Sequence, residues 1–83
     1  MKITIRLLGN LRQYLPHGTE FSDLEMEVSP GAMAHDIPAR LSIPADAALM
    51  ILLNDVRLSP EQLTRETLKT GDRLVISPAI KGG

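Results

Sequence analysis

Residues 68–83 read LKTGDRLVISPAIKGG, and this stretch does most to decide the fold. Its Thr70-Gly71-Asp72 segment is typical of a tight turn. The residues after that turn alternate in polarity, with Leu74 and Ile76 on one side, which predicts a half-buried strand over 73–77. Pro78 ends the predicted strand because proline has no N–H to donate. A short segment that closes in two glycines then follows.

The same alternation appears elsewhere in the chain. It predicts strands over 1–8 and 24–28, a buried strand over 49–53 and a short strand over 56–58. If the first and last strands lie side by side in the centre of a sheet, their apolar stripes face the same way. We therefore expect another element to cover that face of the sheet.

A helix is predicted between the second and third strands. Residues 32–41 place Met33, Ala34, Ile37 and Leu41 at helical spacing. Pro38 lies inside this pattern, so we expect either a distorted helix or a later start, capped by Asp36, with Pro38 in the first turn.

Shorter helical turns are predicted at 11–15 and 59–63. The order of elements predicts an α+β fold with a mixed sheet of four to five strands and one main helix on one face. Residues 1–77 would form the domain, and residues 78–83 would form a flexible tail.

Composition excludes several classes of function. The chain has 83 residues, of which 43% are hydrophobic, so it has room for one small domain. Nine Lys and Arg against ten Asp and Glu give no electrostatic reason to expect nucleic acid or an anionic membrane as a partner. The absence of cysteine excludes thiol catalysis and thiolate metal sites. With no long apolar run and no leader at its start, the chain is expected to be cytoplasmic.

Few residues suggest catalysis. His17 lies in a predicted loop, and His35 adjoins Asp36 without sharing its helix face. Glu25 and Glu27 share a strand face and are expected to be solvated. We therefore expect a non-enzymatic protein with no catalytic residue, no metal and no cofactor of its own.

The two terminal glycines suggest a different chemistry. Glycine has no β-carbon, so this segment would fit a slot that excludes side chains. The carboxylate of Gly83 would be ionised at neutral pH and would attack the α-phosphate of ATP if a partner supplied Mg²⁺ and orientation. The alternative interpretation is that Gly82 and Gly83 are a frayed end or a remnant of expression.

Four segments together resemble the MoaD/ThiS family of ubiquitin-like sulfur carriers, which have the β-grasp fold. ITIRLLGNLRQYLP at 3–16 resembles the first strand and following turn of that family, and PGAMAHDIPARLSIP at 30–44 resembles its helical region. MILLNDVRL at 50–58 resembles its third strand and turn, and residues 68–83 resemble its final strand and diglycine end. One departure is Ser77, where the family often has an aromatic residue, and this changes the expected partner interface.

The resemblance implies a mechanism. Gly83 would be adenylated by a ubiquitin-activating-type enzyme that uses ATP and Mg²⁺, and then converted to a thiocarboxylate. Gly82 would keep the tail thin, and Ile80 and Lys81 would lie in the channel of the partner. The sulfur would go most readily to molybdopterin through a large synthase subunit, with thiamine or thiolated tRNA as alternatives. A ubiquitin-like modifier joined to proteins through Gly83 is the other interpretation.

A partner surface is also predicted. Met50, Leu52 and Val75 point outward and would form an apolar patch if they share the face that the helix leaves uncovered. The alternative is that they belong to a second core. Three arginines would add electrostatic specificity around this patch: Arg6, Arg57 and Arg73.

Overall fold

Five strands form one mixed sheet in the computed structural model, which describes residues 1–15, 23–44 and 46–79. They are β1 (Lys2–Leu7), β2 (Asp23–Glu27), β3 (Leu49–Leu53), β4 (Val56–Arg57) and β5 (Arg73–Pro78). Their order across the sheet is β2-β1-β5-β3-β4. β1 and β5 are parallel, and the other neighbouring pairs are antiparallel. The predicted central placement of the first and last strands is therefore confirmed.

The core lies against one face of this sheet. The inward side chains of the two central strands are at most 1% exposed: Ile3, Ile5, Leu7, Leu74 and Ile76. Ala34 and Ile37 cover them from the helical side and are fully buried. No polar or charged residue is buried in the part of the chain that the structure describes. The fold therefore rests on removing apolar surface from water, at about 25 cal/mol per Å².

The main helical region is shorter than the sequence pattern predicts. A 3-10 turn covers Ala34–Asp36, and α1 covers Ile37–Arg40. Pro38 lies in the first turn of α1, where its missing N–H needs no partner, so the structure has the later of the two predicted starts. The carboxylate of Asp36 does not cap α1. It accepts a hydrogen bond from the N–H of Met33 at 2.9 Å and so stabilises the 3-10 turn.

The two smaller helical turns are present. A 3-10 helix covers Gly9–Tyr14 and buries Leu11. α2 covers Pro60–Leu63 and begins with a capping box. In that box the N–H of Gln62 donates to the Ser59 hydroxyl at 3.2 Å, and the N–H of Ser59 donates to the Gln62 side chain at 2.8 Å.

Gly9 lies close to the end of β5. β5 runs one residue beyond the predicted strand, to Pro78, because the missing N–H of Pro78 faces the side where β1 has already ended. Gly9 has a φ of +58°, and a Cβ added there would lie 3.2 Å from Cγ of Pro78. A side chain at position 9 would therefore push against the strand just before the C-terminal segment.

A double-mutant cycle tests this contact. We expect Gly9→Ala to lower the free energy of unfolding by about 1–2 kcal/mol, from the positive φ and the close approach to Pro78 together. In a Pro78→Ala background the ring atoms are gone, so the same substitution should cost about 0.5–1 kcal/mol less. Urea denaturation measures all four proteins. An equal cost in both backgrounds would show that Gly9 and Pro78 are not coupled.

Candidate functional site

One row of side chains crosses the uncovered face of all five strands. The registers pair Arg6 with both Asp23 and Val75, and they pair Leu52 with both Val75 and Arg57. Residues paired in register lie on the same face of a sheet, so these five side chains share the face opposite the core. Leu52 and Val75 are thus neighbours at the centre of the row, with charged residues on either side.

Met50 belongs to the adjacent row, where it pairs with Ser77. Met50, Leu52 and Val75 are each half-buried, unlike the fully buried stripe on the other side of the sheet. The structure therefore brings together the three predicted patch residues on one face, and it does not bury them as a second core. We call these three residues the apolar patch. Its role in docking stays a prediction.

Two arginines beside the apolar patch are held by carboxylates of this chain. The Arg6 guanidinium donates two hydrogen bonds to Asp23, at 2.6 and 3.1 Å. Nη2 of Arg73 donates to both carboxylate oxygens of Asp55, at 3.0 and 3.1 Å. The hydrogen bond from Arg6 is the largest effect on Asp23 and lowers its pKa; burial opposes this shift, and the charges of Arg6 and Arg73 add to it. The same hydrogen bond, with the charge of Asp23, raises the pKa of Arg6.

Asn54 and Asp72 fix the start of β5. Asn54 and Asp55 form the hairpin turn between β3 and β4 with φ values of +50° and +72°, as a type I′ turn requires. The Asn54 side chain accepts a hydrogen bond from the N–H of Arg73 and donates one to Asp72, both at 3.0 Å. The carboxylate of Asp72 also accepts the N–H of Lys69 at 2.7 Å. The hairpin is therefore joined directly to the strand that carries the C-terminal segment.

The other end of β5 is also positioned by the backbone. The N–H of Ala79 donates to the carbonyl of Ala48 at 3.0 Å, which continues the pairing with the β3 side. Next to this end lies a groove of about 270 Å³ whose walls are Met50, Arg57, Ser77, Pro78 and Ala79. We call it the exit groove. The predicted tail residues Ile80, Lys81, Gly82 and Gly83 lie outside the described residues, but the structure fixes the point from which they continue.

The other chemical candidates are surface groups. Nε2 of His35 is 3.5 Å from the Asp36 carboxylate, and both side chains are nearly half exposed. Glu25 and Glu27 are exposed, as expected; in addition, Glu25 lies 3.7 Å from Lys2 and Glu27 lies 3.6 Å from the N-terminal amine. His17 lies outside the described residues.

Neither a metal site nor a membrane span emerges from the described ranges. Within them, no three His, Cys, Asp or Glu side chains group closely enough to hold a metal ion. No helix there has the length and apolar character needed to cross a bilayer.

Sequence reasoning missed two features of this site. Neither the pairing of Ala79 with Ala48 nor the position of Arg57 on the exit groove was predicted, because both depend on the register between distant strands. The position of Arg57 could be predicted in part, because the alternation through the hairpin places Arg57 on the same face as Leu52.

Comparison with known proteins places the fold. No protein-family model matches the chain, and no curated protein matches it in sequence. SAMP1 from Haloferax volcanii has a similar structure, with a TM-score of 0.69, 15% identity and all of both chains covered. A putative molybdopterin converting factor subunit 1 from Pyrococcus furiosus also gives 0.69, with 19% identity over 95% of this chain and 98% of that one.

A third similar structure comes from a complex. One chain in the structure of the complex of subunits 1 and 2 of the molybdopterin-converting factor from Helicobacter pylori is similar to this chain. The TM-score is 0.62, with 19% identity over all of this chain and all of that one. These similarities extend along essentially the whole chain. They confirm that the chain has the ubiquitin-like β-grasp fold that the sequence resemblance implies.

The pair formed by Arg6 and Asp23 predicts a pH dependence with a definite sign. Because the pKa of Asp23 is lowered by folding, the pair stabilises the fold fully above the ordinary value of 3.8. That stabilisation is lost as the pH falls through the lowered pKa of the folded state. We expect a double-mutant cycle of Asp23→Asn and Arg6→Gln to show favourable coupling at neutral pH and none in strong acid. Thermal unfolding of the four proteins measures the coupling, and equal coupling at both pH values would exclude the ion pair as its source.

Proposed function

We propose that this protein is a carrier whose C-terminal carboxylate, at Gly83, is activated by a partner enzyme. The observation that carries the proposal is the position of β5. This strand is central in the sheet, has a fully buried inward stripe, and continues through the Ala79 hydrogen bond into the residues that end in two glycines. Residues 80–83 thus continue from a strand whose end is held by backbone pairing. The shared fold of the molybdopterin converting factor subunits supports this interpretation.

The proposed reaction needs little from the body of the protein. The Gly83 carboxylate attacks the α-phosphorus of ATP, a bond to oxygen forms, and pyrophosphate leaves. Hydrosulfide, the sulfur donor, then attacks the acyl carbon, the bond from that carbon to the AMP oxygen breaks, AMP leaves, and a thiocarboxylate remains once the sulfur loses its proton. The partner supplies ATP, Mg²⁺ and orientation. The chain is therefore a substrate of its partner rather than an enzyme, because the reactive atoms are its own carboxylate oxygens.

Donation of sulfur in molybdopterin synthesis is the specific role that we propose. The subunit 1 of Helicobacter pylori that has this fold is found in a complex with subunit 2. By analogy, we propose that this chain docks on a large synthase subunit and on an adenylating enzyme of the ubiquitin-activating type. The apolar patch, with Arg73 beside it, is the proposed docking surface.

A ubiquitin-like modifier is the second candidate. The similarity to the small archaeal modifier proteins of Haloferax volcanii and Methanosarcina acetivorans favours it. The activation step is the same in both roles, but a lysine amine replaces sulfur as the attacking group, and the product is an isopeptide. The two candidates therefore differ in the acceptor and not in the activated residue.

Intact mass spectrometry tests the carrier proposal. The protein is incubated with its adenylating enzyme, ATP, Mg²⁺ and a sulfur donor, and we expect the mass to rise by the exchange of one oxygen for sulfur. A chain that lacks Gly82 and Gly83 should unfold at the same temperature and show no mass change. An unchanged wild-type mass with an enzyme of proven activity would contradict the proposal. Adducts to other proteins would instead favour the modifier role.

The apolar patch gives a second prediction. We expect Leu52→Ser to raise the KM for the adenylating enzyme about tenfold, which corresponds to about 1.4 kcal/mol of lost binding. The control is Val56→Ser, which also replaces an apolar side chain by serine, at a residue that is 62% exposed and points to the other face. Steady-state kinetics with both variants measures the difference. Equal KM values for the two variants would exclude the patch as the docking surface.

A further inference from the structure

We propose that Arg57 is a docking contact that forms an ion pair with an aspartate or glutamate of the adenylating enzyme, at the exit groove beside the C-terminal segment. This inference rests on the proposed function and adds to it the chemistry of the partner. It names one residue that the apolar patch does not include, and one kind of side chain that must face it.

Arg57 lies next to the last described residues of the chain. Arg57 forms one wall of the exit groove, and Pro78 and Ala79, the last residues of the described chain, form another. A partner that contacts Pro78 and Ala79 at this groove therefore also lies close to Arg57. Met50 lines the same groove, so an apolar side chain next to the acidic one would find a matching surface.

Arg57 also differs from the neighbouring arginines in having no carboxylate partner within the described ranges. Arg6 and Arg73 each donate two hydrogen bonds to a carboxylate of this chain. Arg57 is exposed, and it forms no salt bridge with any carboxylate in the ranges that the structure describes. A partner carboxylate would have to break an existing pair to bind Arg6 or Arg73. It would bind Arg57 without that cost, and a guanidinium favours a carboxylate that accepts two hydrogen bonds.

The backbone around Arg57 is held by hydrogen bonds on both sides. Arg57 is paired with Leu52 across the hairpin, and the next residue, Leu58, donates its N–H to the carbonyl of Ile51 at 3.0 Å. The capping box that begins at Ser59 follows directly. Little backbone freedom at Arg57 therefore remains to be lost on binding, which favours a specific contact.

The adenylating enzyme is the partner that these observations favour. Sulfur transfer and protein modification both require activation of Gly83, whereas the later acceptor differs between them. A surface next to the point of exit must therefore suit the enzyme that acts on the carboxylate. The competing outcome is that Arg57 contacts a large synthase subunit and makes no contact with the adenylating enzyme.

The experiment compares the kinetics of adenylation for three variants. We expect Arg57→Glu to raise the KM at least tenfold with little change in kcat, and Arg57→Gln to have a smaller effect of the same kind. Arg40→Glu is the matched control, because it makes the same charge change at an exposed arginine of α1, on the helical side of the sheet. Its KM should stay close to that of the wild type. Reversing the charge of the partner's acidic residue should restore the KM of Arg57→Glu.

The outcomes separate this inference from the proposed function. If the wild-type protein is not adenylated by an active enzyme, the proposed function fails. If the wild type is adenylated and Arg57→Glu has the same KM as Arg40→Glu, only the role of Arg57 fails. A change in kcat alone, or weaker binding to a large synthase subunit with unchanged adenylation, would also overturn it. Matching unfolding temperatures for the variants exclude loss of the fold as the cause.

Discussion

Parallel pairing between β1 and β5 joins the two ends of the chain, and the other features of the structure depend on it. The register places Ile5 beside Leu74 and Leu7 beside Ile76, so two apolar stripes merge into one buried surface. Backbone hydrogen bonds extend the pairing at both ends: the Gly71 N–H donates to the Lys2 carbonyl at 2.9 Å, and the Leu8 N–H donates to the Ile76 carbonyl at 3.0 Å. The short helices then need only to cover this surface. Pairing with β3 then extends β5 beyond the end of β1, to Pro78.

The two faces of the sheet consequently differ in chemistry. One face is buried and contains only apolar side chains in its central strands, whereas the other has a half-buried apolar centre with charged residues around it. On that open face the charges are mostly satisfied within the chain, by the pairs that Arg6 and Arg73 make. Exposed pairs of this kind add little stability. On this open face the exit groove lies next to the end of β5.

The strands and their faces could be predicted from the sequence because their alternation is local. Strand limits differ from the predictions by one residue at several ends, since pairing with neighbours and not the pattern decides where a strand stops. Pro78 is an example: it can belong to β5 because its missing N–H faces the side on which β1 has already ended. The length of the helix was less predictable. Residues 32–41 have helical spacing, but Pro38 and the 3-10 turn before it restrict α1 to Ile37–Arg40.

The candidate site was predicted in part. The alternation placed Met50, Leu52 and Val75 outward, and the structure brings them together. The pairing of Ala79 with Ala48 and the exit groove beside Arg57 depend on contacts between distant segments, which a single sequence does not show. The terminal diglycine suggested activation of the Gly83 carboxylate, and the resemblance added the thiocarboxylate and the classes of partner.

Backbone ¹⁵N relaxation of the whole chain in solution tests most directly whether β5 is rigid while the four residues that follow Ala79 are mobile. We expect order parameters of about 0.85 for the N–H groups from Arg73 to Ser77 and of Ala79, equal to those of β1, and values below about 0.6 from Ile80 to Gly83. Values for the last four residues as high as those of β5 would show that the end is packed against the fold. In that case it could not enter a partner, and the proposed carrier chemistry would be excluded.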